Sequence, residues 1–346
     1  MSKASGVIVA KAKAMHGGAL RKDQYDELLR KRSVSEIAGY LKNETYFASA
    51  LKDVRENNIH RGQLEDILRR DMFWKTLKLY RYADSSQQAI YRFHLEQIEI
   101  ELLLSRIRVL ISQNYEDAIA ELPLFLKEYT RFSLLGLGNV RSYDELLDVV
   151  KKTEYYEALL PYRVAKGKED NIDYTAIETQ LHKLYYTYVF DTIEHKMKGK
   201  HKKNMKEFFA IELDLSNLTK IYRLKKYFNA REDVIRESLL FVEGYNAYSN
   251  MEELIAQKSA EEVLKRLQHG KYHIETSLKE DEYIEHYTNK IMFSIAKNNF
   301  CYSQSAPLVF NSYVTLLEQE LENIINIIEG VRYQVAAEDI QKELIY

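Results

Sequence analysis

The sequence predicts an all-α protein of three similar helical domains, residues 1–112, 113–228 and 229–346. Three observations lead there. Three prolines and twelve glycines in 346 residues leave few breaks, and Leu, Glu, Lys, Ala and Ile are abundant, which favours long helices and short connections. A helix-start signature recurs three times. A helix pairing an acidic residue with an Asn three positions later occurs twice, with a degenerate relative elsewhere in the chain.

In chain order, the first segment reads as helix through Ala14 and breaks at His16-Gly17-Gly18. The next, from Tyr25, contains a capping box: the Ser33 hydroxyl is placed to accept from the N–H three residues on, and Glu36 to reach back to the Ser33 N–H. Leu41, Tyr46 and Leu51 follow. The signature returns at Ser142 and Glu145, with Val150, Tyr155 and Leu160 at matching offsets, and at Ser259 and Glu262, with Leu267 and Tyr272. The run Glu253-Leu254-Ile255 with Lys258 also matches Glu27-Leu28-Leu29 with Arg32. The copies lie roughly 110 residues apart, a spacing that suits one small domain each. Three unrelated hairpins sharing generic capping chemistry would produce the same boxes.

The stretch from Phe208 to Phe228 organises the chain. Leu213, Leu215, Leu218, Ile221 and Leu224 recur at helical spacing, and Asp214 and Asn217 share a face. Near the end of the chain Glu320, Asn323, Ile324 and Ile327 repeat the pattern. The first copy offers Tyr91, Leu95, Glu96 and Gln97, against Tyr313, Leu317, Glu318 and Gln319 in the third, but it lacks the Asn. Three such units can close around a pseudo-threefold axis or stack as a solenoid. Solenoid repeats run only ~20–50 residues, so units of this size favour lobes around a central concavity. A concavity of that kind suits the end of another helical protein.

Composition excludes several classes. The formal net charge of −2 gives no global field to attract nucleic acid. The single cysteine, Cys301, rules out an intramolecular disulfide and fits a reducing compartment. The first residues hold too short an apolar run for a signal peptide, and no window suits a membrane span; Leu102 to Ile111, among the most apolar, carries Arg106 and Arg108. There is no phosphate loop, because Gly167-Lys168 and Gly199-Lys200 lack the upstream glycine and the Ser/Thr. Neither a zinc-binding HExxH helix nor a GxSxG elbow occurs. The expected catalytic, cofactor and metal sites are therefore none.

The opening Lys11-Ala-Lys-Ala-Met with Gly17-Gly18 and Leu20, the Ser33 box with Thr45-Tyr46, and the Asp214/Asn217 and Glu320/Asn323 helices together resemble one family. It is the family of the C subunits of archaeal and bacterial V/A-type ATPases, whose equivalent in eukaryotic V-ATPases is named d. The resemblance covers essentially the whole chain and rests on the order and spacing of motifs; the Asn missing from the first copy is a departure. It implies a funnel-shaped, all-helical, non-catalytic component with a central socket. Such a component sits peripherally on the cytoplasmic face of the membrane. It receives the central shaft, subunits D and F, caps the proteolipid ring, and passes torque for ATP-coupled H⁺ or Na⁺ transport. A releasable socket is expected to be lined by charged and polar side chains.

Several features have competing readings. The segment 195–206 is the sharpest charge cluster and suits anionic headgroups or an acidic neighbour, or is a solvated loop between long helices. His195 and His201 have no Cys and no third ligand nearby to complete a metal site. Tyr155-Tyr156 and Tyr185-Tyr186 with Tyr188 suit either an interface or helix packing. Arg223, Lys225 and Lys226 suit the negative end of their helix, or a grip on the shaft. Two rival functions are a generic helical scaffold and a terpene-synthase-like enzyme. The second would need an Asp-rich metal motif, which Glu280-Asp281-Glu282 and Glu169-Asp170 do not provide.

Overall fold

The computed structural model describes residues 3–84, 87–115, 123–245, 250–269 and 284–346. Among these residues regular structure is entirely helical, with no strand. The chain divides into two compact units, one of residues 1–91 with 277–346 and one of residues 92–276.

The first unit opens with α1 (Lys3–His16), α2 (Lys22–Leu29), α3 (Val34–Glu44), α4 (Ala48–Leu51), α5 (Arg61–Tyr80) and α6 (Gln88–Tyr91). The second contains α7 (Phe93–Ser112), α8 (Leu134–Asn139), α9 (Tyr143–Val150), α10 (Tyr155–Leu159), α11 (Tyr174–Lys196), α12 (Gly199–Phe228), α13 (Glu232–Ser238), α14 (Met251–Ile255) and α15 (Ala260–His269). The chain then returns to the first unit with α16 (Ile284–Tyr302), α17 (Ala306–Arg332) and α18 (Ala337–Glu343). Tyr272 and Glu280 to Glu282 lie outside the described residues, as does the side chain of Leu267.

In the first unit α17 is the central helix. It is buried on most of its circumference, which is why its sequence is apolar on more than one face. Helices α1, α5 and α16 pack on it. Its C-terminal half supplies Ile324, Ile327 and Ile328 to a core completed by Leu28, Ile37, Leu41, Leu51 and Leu64, all fully buried. Each such side chain contributes roughly 1.5–3 kcal/mol relative to exposure. Gly330 lets α18 approach: a Cβ there would lie 2.4 Å from Ile340 Cδ1.

In the second unit α11 and α12 form a long antiparallel hairpin turned by Met197 and Lys198. Gly199 has a φ of 57°, in the left-handed region that glycine adopts without steric cost. Phe208, Phe209, Leu213, Leu218 and Ile221 bury the apolar side of α12.

The three helices with acidic motifs end alike. Gln113, Asn229 and Gln334, with φ of 55°, 44° and 57°, follow α7, α12 and α17, and they are the non-glycine residues with positive φ among those described. After α12 and α17 the chain turns into a seven-residue helix, α13 or α18, and then runs back in extended form. Leu160, expected at the Leu51 position, lies on the surface; its neighbour Leu159 takes the buried place.

Candidate functional site: carboxylate clamps and a basic hairpin tip

The three Ser boxes form, with one shared departure from the expected geometry. Ser33, Ser142 and Ser259 accept from the N–H groups of Glu36, Glu145 and Glu262 at 3.2, 3.4 and 3.3 Å. The glutamates reach one residue further back than the serine, accepting from the N–H groups of Arg32, Arg141 and Lys258 at 3.0, 2.7 and 2.9 Å. A basic residue precedes the serine each time.

The acidic helices hold these hairpins, but not in the order in which they follow them in sequence. Glu320, on the last long helix, serves the first box: it accepts the Leu20 N–H and the Tyr46 hydroxyl, both at 2.6 Å. Glu99 on α7 serves the second, accepting the Arg131 N–H at 2.6 Å and the Tyr155 hydroxyl at 2.9 Å. Asp214 on α12 accepts the Tyr245 hydroxyl at 2.7 Å, ahead of the third box. In the first copy it is therefore Glu99 that matches Glu320, one position away from the register that sets Glu96 against Glu318. Glu96 is buried beside it and pairs with Arg92 at 3.0 Å and with Arg131.

Burial pushes the Glu99 and Glu320 carboxyls above the ordinary range, against the hydrogen bonds that favour ionisation. Lys75 lies over the Tyr46 ring, 3.4 Å from its centroid, and pairs with Asp71 at 2.7 Å. Desolvation lowers its pKa.

The two asparagines clamp the returning chain. Asn217 Nδ2 donates to the Leu240 carbonyl at 2.9 Å, and the Leu240 N–H donates to Asn217 Oδ1 at 2.9 Å. Asn323 does the same with Ile345, at 2.7 and 3.0 Å. Leu102 stands at this place on α7, three residues after Glu99.

The lysine-rich segment forms the tip of the α11–α12 hairpin, covering the end of one helix and the first turns of the next. Glu194 pairs with Lys206 at 2.5 Å and with Lys202, and these two bonds pull its carboxyl down to about 2. His195 contacts its own helix neighbour Asp191, and His201 is exposed. Among the described residues no group of three His, Cys, Asp or Glu side chains is placed to hold a metal ion.

Tyr155, Tyr185 and Tyr186 are buried packing residues. Lys225 does not cap its own helix: its Nζ donates to the carbonyls of Ile255 and Gln257 at 2.7 and 2.6 Å, at the end of α14. Tyr227 and Phe228 at the end of α12, and Tyr333 after α17, are more than half exposed. No described helix is long and apolar enough to cross a membrane.

The constellation is one of buried tethers and exposed helix ends. It is shared by three parts of the chain, and comparison with known proteins finds a likeness that runs through it. The chain is 28% identical over 239 residues to the A-type ATP synthase C subunit of Methanosarcina mazei, covering 68% of this chain and 62% of that protein. It is 27% identical over 239 residues to the protein of the same name from Methanosarcina acetivorans, with the same coverage. The relative of that name from Methanococcoides burtonii is 22% identical over 218 residues, 63% of this chain and 58% of its own length. The chain thus spans less than two thirds of the length of these relatives. The sequence profile of the ATP synthase (C/AC39) subunit family matches residues 8–343, nearly the whole chain, and the protein belongs to that family.

Proposed function

We propose that this protein is a non-catalytic central-rotor component of a V/A-type rotary ATPase. In this reading it links the central shaft, subunits D and F, to the proteolipid ring on the cytoplasmic face of the membrane. It passes torque for ATP-coupled transport of H⁺ or Na⁺. The observation that carries the reading is the family match over residues 8–343. The three related segments, with boundaries near 112 and 228, are proposed to surround a polar socket for the shaft in pseudo-threefold fashion.

The local physics supports a force-transmitting part, which must not creep under strain. The Glu320, Glu99 and Asp214 tethers, and the two Asn clamps, fix short helices onto long ones through hydrogen bonds that are largely buried. Buried bonds of this kind strengthen in a low-dielectric interior and are costly to break.

Purification from native membranes tests the reading. Co-purification with ring and shaft proteins, loss of ion-coupled ATP turnover on deletion, and no turnover by the isolated chain are the expected results. Recovery of the chain free of both ring and shaft, with coupled turnover intact after its deletion, would leave a helical scaffold unrelated to a rotary motor. A chemical activity of the isolated chain would leave an enzyme.

A further inference from the structure

We propose that the tip of the α11–α12 hairpin is a docking surface for anionic lipid headgroups. Residues 195–206 hold six lysines and no carboxylate, in a chain whose formal net charge is −2, so positive charge is concentrated at one point. Lys196, Lys198, Lys200 and Lys203 are exposed, and none of the four makes an ion pair among the described residues. Two carboxylates reach the cluster from α11: Glu194, already engaged by Lys202 and Lys206, and Asp191, set against His195. The N-terminal end of α12 adds its positive partial charge at the same place.

The side-chain chemistry selects the partner. The segment has no arginine and no exposed apolar group, because Met197 and Met205 are buried. A protein interface is built around an apolar core enriched in Arg and aromatic residues and depleted in Lys. A nucleic-acid site that reads bases uses aromatic platforms or arginine forks for guanine. The tip offers neither. Separate lysine charges on long flexible stems fit headgroups that diffuse laterally and gather beneath them. The attraction decays over about 8 Å at physiological salt, so it acts only on a surface the tip touches.

The full chain is tested with vesicles of phosphatidylcholine alone and of phosphatidylcholine mixed with phosphatidylserine, a measurement independent of any rotary assembly. Binding is expected only to the mixed vesicles, and it should weaken steeply as salt is raised. Each lysine near such a surface is worth roughly a fivefold change in partition, so K196Q/K198Q/K200Q/K203Q is expected to lose at least about thirtyfold. E194Q, which leaves Lys202 and Lys206 unneutralised, is expected to tighten binding by roughly fivefold. An unchanged thermal midpoint shows that each variant is folded.

Equal binding to both kinds of vesicle, no binding to either, or wild-type binding by the quadruple variant would overturn the proposal. So would a wild-type chain that ignores the mixed vesicles while the quadruple variant fails to associate with the membrane-sector proteins, which would make the tip a protein contact.

Discussion

Asn217 and Leu240 exchange two hydrogen bonds, the side-chain amide serving as both donor and acceptor to one backbone residue. The carboxamide meets this need at any pH, with one donor and one acceptor on the same carbon, which an ionised carboxylate cannot supply. Asn217→Asp is expected to fail nearly as badly as Asn217→Ala, because both aspartate oxygens accept and the Leu240 carbonyl is left bare. A loss of about 2–4 kcal/mol in chemical denaturation is expected for either variant. An Asp variant of wild-type stability would show that the clamp is ornamental.

Gly330 and Ile340 are in closer contact than any side chain at position 330 permits. Gly330→Ala is expected to lower stability by about 1–3 kcal/mol through overpacking. Ile340→Ala costs stability by itself, but the double variant should lose less than the sum of the two, a coupling that a double-mutant cycle measures. Simple additivity of the two losses would rule out the steric account.

Glu320 holds Leu20 and Tyr46 from a buried position. Glu320→Ala leaves an N–H and a hydroxyl unpaired and is expected to cost about 2–4 kcal/mol. Glu320→Gln keeps an acceptor for Leu20 and turns a donor toward the tyrosine oxygen, so it should be far milder. The sign of the pH effect follows from a folded pKa raised by burial. The folded state holds the proton more tightly, so this group's contribution falls as pH rises from the ordinary 4.5 through the folded value. Denaturation midpoints across that window should slope less in the Gln variant than in the wild type.

His182, on α11, acts in the opposite sense. Burial, with Lys220 second, lowers its pKa from 6.5 to about 4. The unfolded chain binds this proton first, so stability is full above 6.5 and is lost as pH falls toward about 4. The contribution at stake is on the order of 3 kcal/mol. His182→Gln should remove that loss, and an NMR titration of the wild-type imidazole should show a midpoint well below the ordinary histidine value.

What could be read in the sequence was local. Ser33, Ser142 and Ser259 announce their helices because a capping box is complete within four residues. The Asp214/Asn217 and Glu320/Asn323 pairs are legible because both members share a helical face. The partner of each pair was not legible. The first box waits for a carboxylate 274 residues beyond Tyr46, and no periodicity links the two.

Glu99 is not legible, because Leu102 stands where Asp214 and Glu320 are followed by Asn, and Glu96 lies in a more obvious register. Lys225 suggested a cap for its own helix, since charge near a C-terminus is the usual case. It reaches instead to carbonyls that tertiary folding brings within range. Leu159 and Leu160 are adjacent and equally apolar, so only packing decides which one is buried.

The bond from Leu20 to Glu320 joins residues 300 apart. The unit of residues 92–276 is continuous in the chain, whereas its companion takes its opening helices and its central helix α17 from either side of that segment. At ~5–20 residues per second, the opening helices emerge roughly 15–60 seconds before the helix that will shield them. Through that interval Ile37, Leu41 and Leu51 pack without Ile324, Ile327 and Ile328, and such an incomplete core is the kind of exposed apolar surface that chaperones shield. That core is complete only once α17 has joined it.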